Sequence, residues 1–93
     1  MHAIHEVECI VSGRVQMVMY RDFAIRHARR YGIVGTVQNL SEGTVRVIAQ
    51  GAHDTLLHYI DDLKRGPMFA KVGDVHTTWR EPTTAYESFS IVY

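Results

Sequence analysis

The stretch I-H-E-V-E-C-I-V-S-G-R-V-Q-M-V-M-Y-R-D-F-A-I-R-H-A-R-R-Y-G, residues 4–32, changes its hydrophobic period part-way along. Through residue 12, Val7, Cys9 and Val11 alternate with Glu6, Glu8 and Ser12, the period of a half-buried strand. Gly13 ends that strand, and a loop runs to about Tyr20. From Arg21 to Tyr31 the apolar positions Tyr20, Phe23, Ala24, Ala28 and Tyr31 form a helical stripe. Gly32 follows as a helix-stopping residue. A strand, a loop and the start of a helix are therefore expected in close succession.

Further along, Ile33 to Gln38 reads as a second strand and Thr44 to Gln50 as a third, with Val45, Val47 and Ala49 on one face. N-L-S-E-G, closing at Gly43, forms the hairpin between them. Gly51 ends the third strand. Leu56, Leu57, Ile60 and Leu63 line one face of a second helix, which Gly66-Pro67 terminates. Val72 to Arg80 is a fourth strand, and Phe89, Ile91 and Tyr93 alternate in a short last one. The order is βαββαβ plus a terminal strand, the split βαβ arrangement of an α+β, ferredoxin-like α/β sandwich. An antiparallel sheet with both helices on one face is expected.

A chain of 93 residues fits one domain, residues 1–93. The apolar share of 46% and charged share of 22% are those of a globular protein. The formal net charge is zero, so general electrostatic attachment to nucleic acid or an anionic membrane is not expected. No apolar run approaches the length of a membrane span. The one cysteine, Cys9, excludes an intrachain disulfide and a thiolate metal cage. The N-terminal M-H-A-I-H-E-V-E carries acids where a signal peptide is apolar. A monomer in a reducing cytoplasm is expected.

Arg21 opens a helix, where the backbone dipole disfavours a cation. It reads either as a solvated arginine offset by Asp22 or as half of an anion cradle. In the cradle, its guanidinium and free helix N–H groups face one phosphate. Asn39 falls where the second strand meets the hairpin. It reads as a turn residue, or as an amide that both accepts from and donates to a water. The split βαβ brings the two to one edge region of the sheet.

The six histidines form no recognisable metal-ligand spacing, and no metal is expected. His2 and His5 sit on a frayed N-terminus, and His53 and His58 are too far apart on their helix to share a face. His27 packs or points to solvent. Asp61-Asp62 reads as the polar face of the second helix. Met17 and Met19, a pair in a polar loop, are expected to pack that loop against the rest of the chain. Ser12 has no evident His/Asp relay and Cys9 points toward the core, so neither is a good nucleophile candidate.

The chain resembles the acylphosphatase family nearly end to end. The family's G-x-V-Q-G-V-x-F-R appears as V-S-G-R-V-Q-M-V-M-Y-R, Val11 to Arg21. Its G-W-V-x-N-x-x-x-G-x-V-x-x-x-x-x-G appears as G-T-V-Q-N-L-S-E-G-T-V-R-V-I-A-Q-G, Gly35 to Gly51. Gly66-Pro67 and the closing F-x-I of Phe89 and Ile91 also fit. The resemblance implies hydrolysis of acyl phosphates to carboxylate and inorganic phosphate, without metal or organic cofactor. It implies that Arg21 binds the phosphoryl group with the main-chain N–H groups of Gln16, Met17, Val18, Met19 and Tyr20, and that Asn39 holds the attacking water. Phosphate or sulfate is the expected product-like ligand. Met17 stands where the family has glycine and Thr36 where it has an aromatic residue. Met17 keeps a second reading open, a weakly active or inactive anion-binding module on the same fold. RNA binding on the sheet is disfavoured by the neutral charge and the lack of an RNP-like run.

Overall fold

The computed structural model describes residues 3–93, so His2 lies outside the described residues. The elements are β1 (His5–Arg14), α1 (Tyr20–Tyr31), β2 (Val34–Asn39), β3 (Val45–Gly51), α2 (His53–Arg65), β4 (Lys71–Arg80) and β5 (Phe89–Val92). The strands form one sheet in the order β4-β1-β3-β2-β5. β1 runs antiparallel to β3 and β4, and β2 antiparallel to β3. This is the expected ferredoxin-like arrangement, with one correction at its edge.

β5 pairs parallel to β2, from Gly35 opposite Phe89 to Gln38 opposite Val92, so the sheet is mixed and not wholly antiparallel. The reason lies in where β4 ends. Arg80 is opposite Glu6, Glu6 opposite Gln50, and Gln50 opposite Val34, the first residue of β2. The chain thus leaves β4 at the end of the sheet where β2 begins. Residues 81–88 cross to the far edge without returning to the other end, which leaves β5 only the parallel direction.

The alternation in the strands decides which face the helices cover. Val7, Cys9 and Val11 of β1, Val37 of β2, and Val45, Val47 and Ala49 of β3 have no solvent exposure. Ala24 and Ala28 of α1 and Leu56, Tyr59 and Leu63 of α2 close over them. Leu57 does not belong to the buried stripe and is 44% exposed. Tyr59, three positions on from Leu56, occupies the inward face instead, since one residue turns a helix by about 100°. Its hydroxyl donates to the carbonyl of Ala24 at 2.8 Å, joining the helices. Burial, with the charge of Glu8, pushes the Cys9 thiol up to about 12, which keeps it a poor nucleophile.

Asp62 is not part of a solvated face. It is buried between the helices, where His27 Nδ1–H donates to Oδ2 at 2.9 Å and the Tyr31 hydroxyl donates to the same oxygen at 2.8 Å. Arg65 donates to Oδ1 at 3.1 Å. His27 is likewise buried, with its ring 4.1 Å from that of Phe23. On the opposite sheet face Glu6 is only 1% exposed, because Gln50 and Arg80 both donate to its carboxylate. Gln50 also donates to the carbonyl of Thr84, holding the 81–88 crossing against the sheet. No helix among the described residues is long and apolar enough to cross a membrane.

Candidate active site

The loop between β1 and α1 is shaped by its backbone. β1 shifts register against β4 between Ser12 and Gly13. Gly13 has φ 114°, and a β-carbon there would sit 2.2 Å from the carbonyl oxygen of Lys71. Only glycine lets β4 approach this closely. Val15 is buried beneath the loop and Val18 is half-buried against the core. Between them, Met17 takes φ 60°, and Met19, the residue that opens α1, takes φ 61°. Each left-handed non-glycine residue costs about 1 kcal/mol.

Neither methionine packs the loop down. Met17 is 99% exposed and Met19 73% exposed, which corrects the expectation for the pair. The left-handed backbone turns both side chains outward while Val15 and Val18 anchor the loop instead. Tyr20 is fully buried, and its hydroxyl donates to the carbonyl of Leu63 at 2.7 Å, fixing the start of α1 to the end of α2.

The α1 N-terminus is left open. The N–H of Phe23 bonds to the carbonyl of Met19 at 3.0 Å, and no side chain caps the helix. The earlier N–H groups have no intrahelical partners, and the helix dipole adds positive potential there. Asp22, whose charge suits that dipole, pairs with Arg26 at 2.9 Å and not with Arg21. Among the described residues Arg21 makes no ion pair. Its guanidinium carbon lies 5.5 Å from the centre of the Tyr93 ring, a cation–π contact.

Asn39 reaches the same place from β2. The link is Gln16, whose side-chain amide donates to the carbonyls of Leu40 at 2.8 Å and Thr44 at 2.9 Å. One side chain thereby fastens the loop to the β2–β3 hairpin. Asn39 Oδ1 is buried and has no hydrogen-bond partner among the described residues, and the same holds for Thr44 Oγ1. Arg21 and Asn39 line one cavity of about 450 Å³, together with Val15, Met17, Met19 and Ile91. A somewhat larger cavity, about 520 Å³, lies at the opposite end of the sheet between residues 82–86 and the start of β2, with no charged side chain in its lining.

Arg21 and Asn39 therefore line one cavity with Met17, Met19 and Tyr20 of the loop, the convergence that a split βαβ arrangement makes plausible. The hydrogen bonds of Gln16 to the hairpin, the apolar wall of Val15 and Ile91, and the approach of Tyr93 had no sequence signal of their own. The alternation of Phe89 and Ile91 marked an inward face of the last strand, but Tyr93, 93% exposed and beyond the end of β5, does not continue it.

Residues 7–91 match the acylphosphatase family model. The chain belongs to the acylphosphatase family. It is 43% identical to an acylphosphatase of Dehalococcoides mccartyi strain CBDB1 over 95% of this chain and 98% of that one. With an acylphosphatase of Deinococcus radiodurans it shares 47% identity over 80% of this chain and 85% of the relative. The crystal structure of acylphosphatase from Bacillus subtilis superposes with a TM-score of 0.93 at 34% identity, covering 96% and 99% of the two chains. As a member of the acylphosphatases the chain is an enzyme, and its reaction is the hydrolysis of acyl phosphates.

Proposed function

We propose that Arg21 and the main-chain N–H groups of residues 16–20 hold the phosphoryl group of an acyl phosphate, and that Asn39 positions the water that attacks it. The observation that carries this reading is the buried, unpartnered Oδ1 of Asn39 in a cavity that also holds an arginine without a carboxylate partner. A buried amide oxygen without a donor is costly, and turning the amide toward the cavity, where a water O–H satisfies it, relieves that cost. The water's lone pair then faces phosphorus.

In the step itself, the water oxygen forms a bond to phosphorus as the bond between phosphorus and the acyl oxygen breaks. The carboxylate leaves as a stable anion, so no general acid is required. The water's proton passes to a phosphoryl oxygen, and inorganic phosphate remains. What the chain supplies is positioning and charge stabilisation, the main needs of phosphoryl transfer. Arg21 spans phosphate oxygens with its fork, and the open helix end adds N–H donors. Met17 adopts the left-handed backbone that a glycine takes without strain, so the loop keeps its shape at an energetic cost.

The test is phosphate release from acetyl phosphate and benzoyl phosphate by the wild type, Arg21→Ala and Asn39→Ala. We expect each substitution to lower kcat/KM by about a hundredfold or more. Equal rates for all three would refute the assignment of roles.

A further inference from the structure

Holding a phosphoryl group takes N–H donors and a guanidinium; it takes no large apolar side chains at the mouth of the site. Yet Met17 and Met19 stand almost fully out of the loop, at 99% and 73% exposure, on the rim of the cavity that contains Arg21 and Asn39. Ile91 lines that cavity as well, and the exposed Tyr93 ring lies over Arg21. The cavity thus combines Arg21 and Asn39 with apolar Val15, Met17, Met19 and Ile91, and the Asp22 side chain lies in its lining as well. A volume of about 450 Å³ suits a small molecule.

The backbone makes the same point independently. Both methionines occupy left-handed conformations, at φ 60° and 61°, where glycine is unstrained. Such strain persists at functional sites when something there depends on it. Here the strain turns two flexible thioether chains away from the protein's own core. The contacts that would offset their exposure lie outside the chain. Methionine adapts to irregular apolar shapes and meets aromatic rings well through its sulfur. A ligand with an anionic head and an apolar body matches both halves of the cavity.

We propose that Met17 and Met19, with Ile91 and Tyr93, form an acyl-side subsite that selects acyl phosphates carrying an aromatic or medium-chain aliphatic acyl group over acetyl phosphate. This rests on the reading above that the phosphoryl group sits on Arg21 and the loop. The selection acts on binding: each methylene buried against the rim tightens it by about fourfold at most. An aromatic or medium-chain acyl group therefore gains about tenfold or more over acetyl, expressed in KM.

The experiment has two arms. In the first, kcat and KM are measured for acetyl, benzoyl and octanoyl phosphate with the wild type, Met17→Gln, Met19→Gln and the double variant. Glutamine keeps the length of the side chain and removes its apolar character. We expect the wild type to favour the bulky substrates through KM, and the double variant to lose about five- to tenfold of that ratio. A ratio that is the same in all four proteins overturns the subsite. Met17→Gly, which relieves the backbone, provides a variant whose folding is not at risk, and a loss of ratio as large as that of Met17→Gln is expected from it. The second arm needs no turnover: calorimetric affinities for inorganic phosphate, benzylphosphonate and octylphosphonate. Preference for the apolar phosphonates that disappears in the glutamine variants supports the subsite even if no acyl phosphate is hydrolysed, which would refute only the catalytic reading. Hydrolysis with a flat series, unmoved by either methionine, retains the catalytic reading and overturns the subsite.

Discussion

Met17 is the residue at which local chemistry and function oppose each other most openly. Its left-handed backbone and near-total exposure give neither conformational ease nor packing. Replacement by glycine should therefore raise stability by about 0.5–1 kcal/mol, measured as a higher urea midpoint with an unchanged slope. A lower midpoint would mean that the side chain makes stabilising contacts after all. Arg21 and Asn39 were legible through the two family motifs that contain them; their places at a turn in periodicity, loop to helix and strand to hairpin, left a solvated arginine and a turn asparagine open as well. The direction of the two methionines was not legible. A side chain in a loop points where its φ sends it, and no apolar period records φ. Gln16 was legible only as a loop member, because its acceptors on Leu40 and Thr44 are more than twenty residues away.

Among the elements, the contact between α1 and α2 depends on Asp62. Burial alone would raise its carboxyl, but hydrogen bonds from His27, Tyr31 and Arg65 outweigh that and hold it below the usual range. A carboxyl depressed in the folded state contributes stability above its unfolded value, about pH 4, and loses that contribution as pH falls through its folded value. Asp62→Asn should thus destabilise the protein by about 1–3 kcal/mol at neutral pH. The gap from wild type should narrow below about pH 4 in acid-unfolding curves. A gap that stays constant down to pH 2 would contradict this account. The helices were legible from their stripes, but not this joint between them. Asp61 and Asp62 are neighbours in sequence and about 100° apart around the helix, so one faces water and the other faces His27. The partner that decides the matter is on another helix, beyond the reach of local pattern. The parallel direction of β5 has no local signal for a related reason: it follows from the end of the sheet at which β4 stops, not from the four residues of β5 itself.

At the scale of the molecule, the two halves of the site come from chain segments far apart in sequence, residues 13–21 and 39–44, and one amide side chain joins them. The unfolded chain consequently has no equivalent site, and any anion bound there binds the folded state alone. Occupancy is then converted into resistance to heat. Inorganic phosphate at a hundred times its dissociation constant should add about 2.7 kcal/mol to stability, read as a dose-dependent rise in Tm. Arg21→Ala should abolish the rise whatever it does to the starting Tm. The Gln16 fastening thus makes the melting curve of this small protein a gauge of what its loop is holding, even for ligands that are never turned over.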